Sequence, residues 1–201
     1  MSDTYYVKTF GGLEITNDNV TVNIVELFGK QLVNLLQVLL FHSEKPVQKD
    51  ELIDILWPES KNPSSALKFS IFRLRSELNE IDFFKDKEVI VTTRKGYILN
   101  PNLDWNIDFV ELEKAYNQIN DGQELLDERE FKIARKIFRL YQGRFYVSPS
   151  QLHWMMLKQE AFRQMYVKTM MRTSCYLYTQ KRYDEMMLMN YQAVLIEPFN
   201  E

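Results

Sequence analysis

The chain has one cysteine, Cys175, among 201 residues. No internal disulfide can form, so the fold must be held by packing rather than by cross-links. Histidine is nearly as scarce: His42 and His153 stand far apart and give no metal-ligand spacing with the lone cysteine. Neither a metal nor any other cofactor is expected. No run of 18 apolar residues occurs, and Met1-Ser2-Asp3-Thr4 lacks the basic-then-apolar order of a secretory leader. The expectation is a cytoplasmic protein with no membrane partner. Gly11-Gly12 has neither the pattern nor the following helix of a phosphate-binding loop. With no Ser/His/Asp arrangement and no paired carboxylates in an apolar setting, the chain is not read as an enzyme. A surplus of positive charge is also missing: 25 Lys and Arg stand against 28 Asp and Glu, a net charge of −3. That excludes a protein that coats nucleic acid indiscriminately, yet a site-specific binder needs only a local basic face.

What is present is ordinary for a folded chain, with 45% hydrophobic and 26% charged residues. The length admits two small domains, each with its own core. Residues 5–28 alternate apolar and polar side chains (Val7, Leu13, Ile15, Val20, Val22, Ile24) between the turn signals Gly11-Gly12 and Asn17-Asp18-Asn19, which predicts a small antiparallel sheet. Leu32, Leu35, Leu36, Leu39 and Leu40 then form one helix face between Gly29 and Ser43. A second helix follows from Asp50 to Trp57 with Leu52, Ile55 and Leu56 inward, and Trp57 is expected to plug the edge of the core.

The stretch from Asn62 to Leu99 organises the rest. Asn62 supplies a capping side chain and Pro63 takes the first helical position, where its missing N–H costs nothing. Leu67, Ile71, Leu74 and Leu78 give an inner stripe and predict a helix over about residues 63–80, leaving the opposite face free. From Lys61 to Ser76 there are the cations Lys61, Lys68, Arg73 and Arg75 and no acid, a local surplus suited to phosphate. Residues 89–99 read as a hairpin, with a strand from Val89 to Thr93, the turn Arg94-Lys95-Gly96 and a returning strand from Tyr97 to Leu99.

Arg73-Leu74-Arg75, Thr92, Arg94-Lys95-Gly96-Tyr97 and Leu99, in that order and spacing, are similar to the end of an OmpR-type winged helix-turn-helix. The version resembled is that of the SARP-type (AfsR-like) bacterial transcriptional regulators. Phe10-Gly11 and Leu56-Trp57-Pro58 resemble further members of the pattern. The resemblance implies double-stranded DNA as partner, with the helix over about 63–80 in the major groove and the wing 89–99 on the backbone or minor groove. Ser65, Lys68, Ser70, Phe72 and Arg75 would lie toward DNA, Arg73 toward phosphate or an internal acidic partner, and Arg94 and Lys95 at the wing tip. The loop from Pro58 to Lys61 is where such proteins touch phosphates or RNA polymerase.

Pro101 ends the hairpin, Asn102 to Asn106 reads as a polar linker, and the boundary is placed there: 1–101 winged helix, 102–201 helical domain. Helices are predicted over 107–120, 124–141, from Ser148 to about Lys181, and 185–196, an antiparallel stack. Tyr141-x-Gly143-x-Phe145 with Trp154, and Glu197-Pro198, resemble the bacterial transcriptional activator domain of SARP-type proteins, a TPR-like unit. The resemblance places Ser174 and Ala193 where paired helices touch. The expected fold class is therefore mostly α with small β-sheets, an N-terminal winged helix-turn-helix followed by an α-helical TPR-like domain. The helical domain is expected to be incomplete at Glu201.

Two features leave choices open. Phe69 and Phe72 lie off the apolar stripe; a phenylalanine can contact a thymine methyl group, or the pair can belong to a protein-binding face. The latter would make the module an interaction adaptor that no longer binds DNA. Eight methionines lie between Met155 and Met189, and Met186, Met187 and Met189 cannot all face one neighbour. They fill this domain's own core, or they form a surface for a homodimer or for further helical repeats.

Overall fold

A computed structural model describes residues 4–119, 126–145 and 152–197, except for the side chains of residues 152–154. The described residues are mostly helical with small sheets, as expected. They divide into two compact units, the first formed by residues 4–7 and 13–106 and the second chiefly by 8–12, 107–145 and 154–197.

In the first unit, β1 (Thr4–Lys8), β2 (Glu14–Asn17) and β3 (Val20–Asn23) build the foreseen sheet. β2 and β3 pair antiparallel from Glu14↔Asn23 to Asn17↔Val20, around a turn in which Asp18 has a left-handed φ of 51°. The stretch read as a linker contains a fourth strand, β6 (Asp104–Ile107), and the sheet order is β3-β2-β1-β6. Its side chains explain why it is ordered. Trp105 packs on Tyr5 and Phe84 and donates its Nε1–H to the Asn100 carbonyl at 2.9 Å, and Asp104 accepts from the Thr4 hydroxyl at 2.6 Å.

The one-turn α1 (Ile24–Leu27) is capped by the Asn23 side chain. α2 (Lys30–Phe41) is buried from Leu32 onward and forms the centre of the core. α3 (Lys49–Leu56) and α4 (Pro63–Asn79) pack on it, burying Leu52 from the former and Leu67, Ile71, Leu74 and Leu78 from the latter. Pro63 does occupy the first turn, but the Asn62 side chain makes no capping bond; it lies just past the tight loop in which its own N–H donates to Ser60 Oγ. Trp57 is half-buried rather than a sealed plug. Between α4 and the hairpin a 3-10 turn, Asp82–Phe84, drives Phe84 fully inside. β4 (Ile90–Thr92) and β5 (Tyr97–Leu99) form the hairpin, paired Ile90↔Leu99 to Thr92↔Tyr97.

The second unit holds α5 (Asp108–Tyr116), α6 (Glu128–Leu140), α7 (Leu152–Thr179) and α8 (Tyr183–Ile196). A capping box between Asp127 and Glu130 starts α6. The expected start of that helix at Glu124, and the Ser148-Pro149-Ser150 signal, lie outside the described residues. So do Pro198 and Glu201. Residues 8–12 belong to this unit although they come at the N-terminal end of the chain. Asp108, buried at the first turn of α5, accepts from the Thr9 N–H at 2.6 Å, the Thr9 hydroxyl at 2.5 Å and the Phe10 N–H at 3.0 Å. Burial pushes the Asp108 carboxyl above its ordinary range in spite of these bonds. Phe10 then stacks on Phe145 and meets Tyr141 and Phe162, so both aromatic residues of the Tyr141-x-Gly143-x-Phe145 motif pack on the Phe10 ring. α7 and α8 meet where Ser174 Oγ donates to Asn190 Oδ1 at 2.6 Å, and Ala193 is buried. Of the clustered methionines Met155 is buried while Met156, Met171 and Met187 are exposed.

Among the described residues, no helix is long and apolar enough to cross a membrane.

Candidate nucleic-acid interface

The outward face of α4 follows from its inward one. Residues at the i, i+4, i+7 and i+11 positions Leu67, Ile71, Leu74 and Leu78 are packed, so Ser65, Lys68, Phe69, Phe72, Arg73 and Ser76 face solvent. Ser70 does not join them. It sits beside Ile71 on the packed side, 7% exposed, because the stripe of a helix set into a three-helix core is wider than a single i, i+4 row. Its expected place toward DNA is corrected accordingly.

Arg75 also departs from its expected role. Its Nε and Nη2 donate to the Ile90 carbonyl at 3.0 and 2.8 Å, and Nη2 donates to Thr92 Oγ1 at 2.8 Å. The guanidinium thus fastens α4 to the first strand of the hairpin and is turned away from the helix's outer face. Charge-assisted bonds of this kind are stronger than neutral ones. Phe72, Arg75 and Ser76 line a shallow cleft with Lys87 and Val89. Arg73 takes the internal acidic partner that was one of its two expected choices, Glu77, at 2.6 Å one turn on. Lys68 is exposed, as are Phe69 at 62% and Phe72 at 69%.

The hairpin tip is built to project its cations. Thr93 Oγ1 accepts from the Lys95 and Gly96 N–H groups, both at 3.1 Å, and the Thr93 N–H donates to the Gly96 carbonyl at 2.8 Å. Arg94 and Lys95 are left exposed on the closed turn. Behind them β5 is held by a second partner. Val47 and Tyr97 exchange backbone bonds of 2.8 and 3.0 Å. Gly96, with φ of 147°, lies so close to this bridge that a Cβ would fall 1.8 Å from the Val47 carbonyl oxygen. That contact explains why glycine ends the Arg-Lys-Gly turn. Sequence reasoning found the turn and missed the lock, since nothing in the local pattern points to Val47.

A long inner helix, a helix-turn-helix pair and a hairpin tied back to the second of the two helices make a winged helix. Residues 25–99 match the family described as "Transcriptional regulatory protein, C terminal". That stretch is a winged helix of the OmpR type, and it carries every residue expected at a DNA interface. Comparison with curated proteins gives no match. Among solved structures, Mycobacterium tuberculosis EmbR "in complex with low affinity phosphopeptide" is similar over 99% of this chain, with a TM-score of 0.66 and 16% identity. The likeness is one of fold. The chain spans about half of that structure, 52% of its length. The "DNA binding domain of E. coli CadC" aligns over 49% of this chain and 92% of its own, at 25% identity and a TM-score of 0.37.

Proposed function

We propose that this protein is a DNA-binding transcriptional regulator of the SARP type. The winged helix lays α4 in a major groove, presenting Ser65, Lys68 and Phe72, while Arg94 and Lys95 at the wing tip touch the backbone or minor groove. The observation that carries this reading is the exposed cation pair on a closed hairpin beside a helix whose outward face holds Lys68 and no unpaired acid, within the stretch that matches the regulator family. Arg75 holds the helix and wing at a fixed distance, and so acts on binding through geometry. The loop from Pro58 to Lys61, exposed throughout, is the place for RNA polymerase.

By the sequence boundary, residues 1–101 bind DNA and 102–201 form the TPR-like activator part. The Met187 side of α8, with Tyr191 and Val194 also exposed, is where a second copy or further helices would pack. The site of action is the cytoplasm. Binding of the full chain to duplex DNA should weaken steeply with salt, by about 0.9 in log K per log salt for each phosphate neutralised. Lys68→Ala and Lys95→Ala should each weaken it.

The exposed Phe69 and Phe72 rings favour one other reading, an adaptor that uses the same face to bind protein. Absence of any duplex binding at moderate salt would select it.

A further inference from the structure

The outward face of α4 holds few groups able to read base edges by hydrogen bonding. The Arg75 guanidinium is fixed on Ile90 and Thr92, Arg73 is paired with Glu77, and Ser70 is buried. Guanine is ordinarily recognised by a bidentate arginine or lysine and adenine by a bidentate Asn or Gln. On this face Lys68 is the remaining cation, and Asn79 stands at the far end of the helix, its side chain accepting from the Asp86 N–H. What the centre of the face offers is two phenyl rings, Phe69 and Phe72, 62% and 69% exposed and three residues apart. At that spacing both rings project to the same side, separated by roughly 4.5 Å along the helix axis. Two large exposed apolar side chains side by side, flanked by Lys68 and serines, form a patch with a use rather than a scattered exposed residue.

We propose that Phe69 and Phe72 read the C5-methyl groups of thymines in the major groove, so that the sequence preference of this protein is carried mainly by apolar contact. This rests on the DNA-binding reading above. Among the standard bases only thymine places a methyl group in that groove. Covering it with a phenyl ring removes two apolar surfaces from water at once. The spacing of the rings along the helix is between one and two base-pair steps, so the preferred sites hold thymines, in either strand, on neighbouring pairs. Lys68 and the wing then anchor the backbone without discriminating among sequences.

The test uses the full chain and duplexes it selects from a random-sequence library, each resynthesised with deoxyuridine in place of every thymidine. That exchange removes the methyl groups and leaves the hydrogen-bonding edges intact. Wild-type affinity should fall by about fourfold for each methyl covered, roughly fifteenfold for two. Phe69→Ala/Phe72→Ala, both changes being at exposed positions, should bind the two duplexes equally. Lys95→Ala should weaken both and keep their ratio. Wild-type affinities for the two duplexes within about twofold of each other would overturn the methyl reading while leaving DNA binding intact. Retention of the thymine preference by the double variant would overturn it too, since the preference would then come from duplex shape. A library from which nothing is enriched would defeat the DNA-binding reading itself, and the methyl reading with it.

Discussion

Arg75→Ala separates a residue that positions the interface from one that touches DNA. The wild-type side chain gives three hydrogen bonds from a charged donor, two to the Ile90 carbonyl and one to Thr92 Oγ1. Hydrogen bonds to charged groups contribute about 1.5–3 kcal/mol. Arg75 is half-buried, so water can satisfy the freed carbonyl, and the loss should be nearer 1–2 kcal/mol. For a unit of this size that is roughly a 5–10 °C drop in Tm. Arg75→Lys keeps the charge without the fork, and most of the loss should persist. Duplex binding should weaken because α4 and the wing are no longer held in register, but the slope of log K against log salt should not change. Lys95→Ala should do the opposite, melting like the wild type with a slope smaller by about one unit. The reasoning fails if Arg75→Ala melts normally and its salt slope drops by about one, which is the behaviour of a phosphate contact.

Gly96→Ala should open the hairpin at its base, because the new Cβ meets the Val47 carbonyl; losing the two Val47–Tyr97 bonds in addition to strain costs about 2–4 kcal/mol. Urea unfolding measures it, and an unchanged midpoint would refute the lock. Tyr141→Phe removes the hydroxyl that donates to the buried Glu197 carboxylate at 2.5 Å, and should destabilise by about 1–3 kcal/mol in the same assay. Asp108→Asn tests the anchor of residues 8–12. Since burial raises the folded pKa above 3.8, protonation of Asp108 favours the fold; that contribution is full below 3.8 and is lost as the pH rises through the folded value. The stability difference between wild type and Asp108→Asn should therefore shrink with rising pH across that window, and a flat difference would contradict it. Trp57→Ala should cost well under the about 3–5 kcal/mol of a sealed core aromatic, because the ring is half-exposed. Circular-dichroism melting checks this, and a loss of that full size would put the ring inside the core.

Much of the first unit was legible in the sequence because its signals are local. The leucines of α2, the i, i+4 stripe of α4 and the alternation of β2 are periodicities, and a period fixes which side of an element is apolar whatever lies beyond it. The basic tip was legible for the same reason, since a turn between two strands must project its middle residues. The fold class followed from these elements taken together. What the sequence could not state was which long-range partner each polar group would take. Residues 102–106 contain few apolar positions, and only the open edge of β1 and the Tyr5 ring make Asp104–Ile107 a strand.

Arg75 looks like any exposed arginine on a basic helix until the hairpin places the Ile90 carbonyl within its reach. Ser70 is polar by composition, and its burial depends on how closely α4 is set against its neighbours. Gly96 could be assigned to a turn from its neighbours, but its intolerance of a Cβ is a property of Val47, nearly fifty residues away in sequence. Phe10 reads as part of a strand and lies instead among the aromatic rings of the second unit, because Asp108 captures its own backbone N–H and that of Thr9. Periodicity determines faces; hydrogen-bond partners across the chain are decided only when the elements pack, and in this protein that packing separates the cations left exposed, Lys68, Arg94 and Lys95, from Arg75, which fastens α4 to the hairpin.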